Sequence, residues 1–205
     1  FEGTGIVGGG YNDGWSSDYY RYLSNWLNPI NTAVQVAETK ISSGDAQPYT
    51  LNMLQVARIW RVYLMSEFAD NFGPMPINGF QGLNPTFSDL KTVYYYFLDE
   101  LKDANSKLDP SKTVPADTRK LDAAFGFDFA KWKKYANSMR LRLAMRISEV
   151  DPAKAKSEFE AAATGDLLKS VDDIFQVQEQ PGWDALTGVM SREWNPGRLS
   201  ATLKN

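Results

Sequence analysis

Neither cysteine nor histidine occurs among the 205 residues. Without a thiol or an imidazole, these residues offer no cysteine nucleophile, no disulfide, no Ser-His-Asp relay and no histidine-ligated metal. Carboxylates, lysine and tyrosine are what remains for catalysis. The absence of cysteine is compatible with an exported protein that manages without disulfides, but it assigns no compartment. No apolar run approaches the roughly eighteen residues needed to span a bilayer. An excess of positive charge is missing too: Lys plus Arg total 22 against 25 for Asp plus Glu, a net charge of -3. A general affinity for nucleic acid is therefore not expected. The run Gly8-Gly9-Gly10 has no Lys-Ser or Lys-Thr after it and no strand before it, so it is not a phosphate loop.

What is present is helical periodicity on a chain whose apolar fraction of 43% suits a globular core. The clearest case is Lys131 to Ser148, in which Trp132, Tyr135, Ala136, Met139, Leu143 and Ile147, with Val150 beyond, recur at spacings of three and four. Six cations lie among them: Lys131, Lys133, Lys134, Arg140, Arg142 and Arg146. A basic amphipathic helix invites a membrane or nucleic-acid reading. The aromatic and Met content of the stripe instead fits a packed core, with Lys and Arg stems covering its edges and their charges finding ion-pair partners.

The other elements follow from the same periodicity. Residues 1–20 hold six of the fifteen glycines and read as irregular structure. A first helix is expected from Trp26 to Ile41, with Ser24 or Asn25 as its cap, Pro29 in its first turn and Ser42-Ser43-Gly44 as its end. A second runs from Thr50 to Phe72 and stops at Gly73-Pro74. Met53, Val56, Ala57, Trp60, Leu64 and Phe68 form one stripe on it, and Leu51, Leu54, Ile59, Val62, Met65 and Ala69 much of another. A helix apolar on two faces sits between neighbours, so its Arg58, Arg61, Glu67 and Asp70 need partners, and internal ion pairs would supply them. The turn-rich connector of residues 73–85 is a fair place for binding residues. A third helix is expected from Ser88 to Leu108, capped by Ser88 with Asp89 in its first turn. A polar link from Asp109 to Leu121 leads to the basic helix, which ends near Val150. Asp151-Pro152 starts a fifth helix that ends near Gly165. The remainder reads mostly as loop, with a short helix around Leu186 to Ser191. Strand signals are nearly absent. The fold class is all-α: an array of antiparallel helix pairs in one domain, residues 1–205, with long irregular loops and no fixed-length repeat. Opening on Phe1 and stopping at Asn205, the sequence reads as an incomplete part of a larger chain.

No spacing selects a pair of carboxylates for glycosidic hydrolysis; Asp99, Glu100 and Asp103 read as a solvated helix face, and no catalysis is expected. Tyr11, Trp15, Trp183 and Trp194 lie outside the periodic stripes, beside Asn12, Asp13, Asp184, Asn195 and Arg198. A flat ring next to Asn, Asp or Arg is the composition of a sugar platform: the CH face of the sugar stacks and its hydroxyls are hydrogen-bonded. The same rings would serve equally to fill gaps over the helices or to meet a partner protein. Clusters of Asp and Asn leave room for calcium, but no EF-hand spacing indicates it, and no other cofactor is expected.

The segment Lys131-Trp132-Lys133-Lys134-Tyr135-Ala136-Asn137-Ser138-Met139-Arg140-Leu141-Arg142-Leu143-Ala144-Met145-Arg146-Ile147-Ser148, with Asp151-Pro152 after it, resembles the signature helix of the SusD/RagB family of nutrient-binding outer-membrane lipoproteins, in its SusD-like branch, where the pattern is close to KW.KFANSLRLRLAMRIS.VDP. Ala57 to Ile77 looks like the family's long helix and its closing turn, and Phe87 to Asn105 like the helix after it. The departures are local: Pro74 and Ile77 stand where Asp and Tyr are usual, and Phe127 separates Gly126 from Asp128. The resemblance covers Trp26 to Thr164 well and the tail weakly, and family members are commonly more than twice this long.

What the resemblance implies is a tetratricopeptide-like helical scaffold, tethered at the cell surface by a lipidated cysteine upstream of Phe1. Such a protein caps a TonB-dependent SusC-like transporter while holding an oligosaccharide or another nutrient. The motif helix would then be scaffold, with ligand held by the loops; no ligand residue is carried over from the family. A pure interaction scaffold remains the alternative.

Overall fold

The computed structural model describes residues 13–177. The chain divides into two units, residues 1–175 and 176–205, and the helices described here belong to the first. In chain order they are α1 (Asp13–Ser42), α2 (Thr50–Phe72), α3 (Leu90–Lys107), α4 (Ala116–Arg119), α5 (Phe129–Arg146) and α6 (Pro152–Ala163), followed by a single 3-10 turn, Val171–Asp173. Among the described residues there is no strand, only an isolated antiparallel bridge between Met75 and Ser88. No described helix is long and apolar enough to cross a membrane.

Packing proceeds along the chain: α1 lies on α2, α2 on α3, α3 on α5 and α5 on α6, with a smaller contact between α2 and α5. The two apolar stripes of α2 give it this central place. Ile59, Val62, Met65 and Phe68 are fully buried, and α3 and α5 contribute Phe97, Leu98, Leu101, Trp132 and Leu143 to the same core. Each large side chain buried in this way contributes about 1.5 to 3 kcal/mol.

Three caps fix where helices begin. Asp89 accepts from Thr92 N at 2.8 Å, Asp128 from Lys131 N at 3.1 Å and Asp151 from Lys154 N at 3.1 Å. Asp151 is followed by Pro152 at the first helical position, where a missing N–H costs nothing. The cap of α3 is thus Asp89 and not Ser88. Ser88 donates its backbone N–H to Met75 O at 3.1 Å, so it closes the α2–α3 connector instead.

Four further expectations are corrected. Helix α1 begins at Asp13, thirteen residues before Trp26, because Tyr20, Leu23, Leu27, Ile30 and Val34 extend the helical spacing upstream; Leu23 and Leu27 join the core and Tyr20 packs on Phe68 at 4.9 Å. Pro29 therefore sits inside the helix, on its exposed side, where it removes one intrahelical bond. At the other end of the motif, α5 stops at Arg146, and Val150 lies past it, 82% exposed. The link before α5 holds the four-residue α4. Finally, Glu100 is not part of a solvated face: it is 12% exposed and held by Arg58 and Arg61.

The cations of α5 all find acceptors. Arg140 pairs with buried Glu158, Arg142 with Glu67, Arg146 with Asp70 and Lys134 with Asp173. Lys133 donates to the carbonyls of Asn105 and Leu108 at the end of α3, and Lys131 to Asp172 O. The basic helix is an ion-paired scaffold element.

Candidate functional site

The carboxylates are engaged in structure. Glu100 receives two bonds from Arg58 at 2.8 Å and one from Arg61 at 3.0 Å. Burial pushes its carboxyl up, but Arg58 and Arg61 outweigh this and hold it below the ordinary value. Glu158 behaves alike: burial raises it, and Lys154 and Arg140 bring it below the ordinary value. A general acid needs the opposite shift. Asp122 is likewise a structural hub. Its carboxylate accepts from Ala124 N, Phe125 N, Phe127 N and Trp132 Nε1 at 2.7 to 3.2 Å. These bonds hold the left-handed pair Gly126 and Phe127 (φ 60° and 56°) directly before α5. Among the described residues no group of three or more carboxylates is placed to hold a metal ion.

Of the residues singled out for ligand contact, Asp13 and Trp15 fall in the first turn of α1 rather than in a loop, and both are exposed. Tyr11, Asn12, Trp183, Asp184, Trp194, Asn195 and Arg198, and the short helix near Leu186, lie outside the described residues.

The structure adds rings that composition alone passed over. Tyr19, Tyr22 and Trp26 follow Trp15 at spacings of four, three and four, so all four share one face of α1. They are 40% to 51% exposed. This face runs beside the buried one: Tyr19 meets Phe72 at the end of α2, with centroids 5.8 Å apart. Tyr22 and Trp26 are neighbours at 6.5 Å, and the Arg21 guanidinium lies 5.3 Å from the Tyr22 centroid. Asp18, Arg21 and Asn25 are exposed alongside, with Arg21 paired to Asp18 at 2.7 Å. The signal was the 4-3-4 spacing, hidden because the glycines around it read as loop.

A second aromatic group is partly buried against the core. Phe175 stacks on Tyr135 at 4.5 Å and on Trp60 at 5.6 Å, with Trp132 and Phe125 edge-on. Trp60 in turn stacks on Tyr63 at 4.7 Å. The segment before Phe175 is anchored by Asp173, which accepts from Lys134 at 2.7 Å and from Lys169 N at 3.1 Å. These rings pack on one another, whereas the α1 face is a row of exposed rings; Phe87 in the α2–α3 connector is exposed as well.

The model of the SusD-like family, described as Susd and RagB outer membrane lipoprotein, matches residues 10–205. The chain belongs to the SusD-like family. Family membership accords with the solved structures it is similar to. A SusD homologue from Parabacteroides distasonis is 32% identical with a TM-score of 0.68, over 80% of this chain and 32% of that one. A chitin-binding protein is 30% identical with a TM-score of 0.66, over 80% of this chain and 34% of that one. A SusD-like protein from Bacteroides thetaiotaomicron is 25% identical with a TM-score of 0.67, over 80% and 33%. The chain thus spans about a third of the length of these relatives. No curated protein matches it. The family description names an outer membrane lipoprotein.

Proposed function

We propose that this chain belongs to a non-catalytic protein that captures an extracellular oligosaccharide at the outer membrane and delivers it to a TonB-dependent SusC-like transporter. The observation that carries this reading is the exposed aromatic face of α1, in a family member similar to a chitin-binding protein. Exposed rings flanked by Asp, Arg and Asn suit a sugar, which offers CH faces for stacking and hydroxyls for hydrogen bonding. The carboxylates support the absence of chemistry, since the buried ones are held ionised by arginine or lysine. Trp183, Asp184, Trp194, Asn195 and Arg198, and separately Tyr11, Asn12, Asp13 and Trp15, are proposed as ligand-contacting residues. Membrane attachment would come from a lipid anchor upstream of Phe1, and surface exposure follows from that role. Isothermal titration against a panel of glycans and peptides tests the reading. Heat with at least one oligosaccharide is expected; no heat with any of them contradicts it.

An interaction scaffold without its own sugar is the second reading, favoured by the α2–α3 connector. There Leu83 is almost wholly exposed, and Ile77 and Phe87 of the same connector are exposed too. Replacing Trp183 and Trp194 by Ala separates the two. Lost glycan binding with intact capture of the transporter supports nutrient capture, and the reverse supports scaffolding.

A further inference from the structure

The rings of α1 are arranged in a line, and a line selects among glycans. Trp15, Tyr19, Tyr22 and Trp26 are the large exposed apolar residues on that face, and the buried residues Leu23, Leu27 and Val34 lie on the neighbouring one. The α-helical rise of about 1.5 Å per residue separates successive rings by about 6, 4.5 and 6 Å along the axis. Together they cover about 16 Å. We infer that this face is a linear track for an extended, β-1,4-linked oligosaccharide, with one ring to each sugar residue. This rests on the glycan-capture reading above and names the class of glycan.

The physical case has three parts. First, a pyranose in an extended β-1,4 chain advances by about the same distance as one helical turn, so rings and sugars keep register over several residues. An α-1,4 glucan coils and leaves a straight helix face after two or three residues. Second, β-1,4 linkage turns alternate residues over. A pyranose with equatorial substituents carries axial C–H groups on both faces, so each residue still offers a CH face to the ring beneath it. Third, the polar groups lie to one side: Asp18, Arg21 and Asn25 are exposed along the same edge of the stripe, where equatorial hydroxyls would project. The stripe ends where aromatic residues end. Two and three turns beyond Trp26 the same face carries Ala33 and Ala37, which sets the length at about four sugars.

The experiment compares chitohexaose and cellohexaose with maltohexaose by isothermal titration on the 205-residue chain, with Tyr22→Ala and Trp26→Ala variants checked for native helicity by circular dichroism. Both positions are exposed, so folding is expected to survive. The inference expects binding of a β-1,4 hexamer, affinity that rises with length up to about four sugars, and a roughly threefold to tenfold loss for each ring removed. Equal or tighter binding of maltohexaose overturns it. So does β-glycan binding that neither variant weakens, and so does loss of transporter capture in the variants with glycan binding intact; in these cases glycan capture itself can stand. If no glycan of any linkage binds the unmodified protein, the capture reading falls with it.

Discussion

Arg140 of α5 donates from both Nε and Nη2 to one carboxylate oxygen of Glu158 on α6, with each side chain only 7% exposed. Lys154 reaches the other oxygen at 2.9 Å. The acid therefore has two cations, and the buried guanidinium has one acid. Breaking a buried pair costs about 3 to 5 kcal/mol when it leaves an uncompensated charge. Glu158→Leu, which strands Arg140, is expected to lie at the upper end of that range. Arg140→Met leaves Glu158 paired with Lys154 and should cost distinctly less. Urea denaturation of both variants measures the asymmetry; equal costs would show that the two cations do not share the carboxylate.

Asp122 presents a different economy of contacts. Its two oxygens serve three backbone N–H groups and the indole of Trp132, and they hold Phe127 in a left-handed conformation that a bulky residue rarely adopts. Asp122→Ala should cost about 2 kcal/mol or more, since several half-buried donors lose their acceptor together. Thermal unfolding, followed by near-ultraviolet circular dichroism of Trp132, is the measurement.

Much of this scaffold was legible in sequence, and the exceptions share a cause. Helices α2 and α5 have long uninterrupted periods, Gly73-Pro74 marks the stop of α2, and Asp151-Pro152 marks the start of α6 by local chemistry alone. Helix α1 was half hidden, because Gly14 and Pro29 are breakers in any local reading while Leu23, Leu27 and Tyr20 are helical only through their packing on α2. Glu100 looked solvated because its partner Arg58 is 42 residues away. Ser88 lost the cap to Asp89 through a bridge to Met75. Of the candidate site, the residue types were legible at Trp15, but the line Trp15, Tyr19, Tyr22 and Trp26 required the helix to be seen as continuous.

The cap assignment is itself testable. Asp89→Ala should destabilise the protein measurably, because the Thr92 N–H loses its cap. Ser88→Ala should be nearly silent, because Ser88 acts through its backbone. Paired denaturation curves decide between the two positions.

Asp173 carries the acid sensitivity of the segment before Phe175. The hydrogen bond from Lys134, with that from Lys169 N, holds its carboxyl down to about 2 from an ordinary 3.8. The folded pKa is depressed, so this contribution to stability is fully present above about pH 5 and is lost as pH falls from about 4 to 2. The protection of the Lys169 amide against hydrogen exchange, relative to its intrinsic rate at each pH, should fall across that window. Asp173→Asn should show low protection already at neutral pH and little further change on acidification.

Nutrient capture by exposed rings is tested most directly by saturation-transfer difference NMR, with the protein's aromatic resonances irradiated in the presence of a β-1,4 oligosaccharide. The account predicts transfer to the axial C–H protons of several consecutive sugar residues, reduced in Trp26→Ala. Absence of transfer at saturating glycan, or transfer unchanged in that variant, would contradict the assignment of this face of α1 to the ligand.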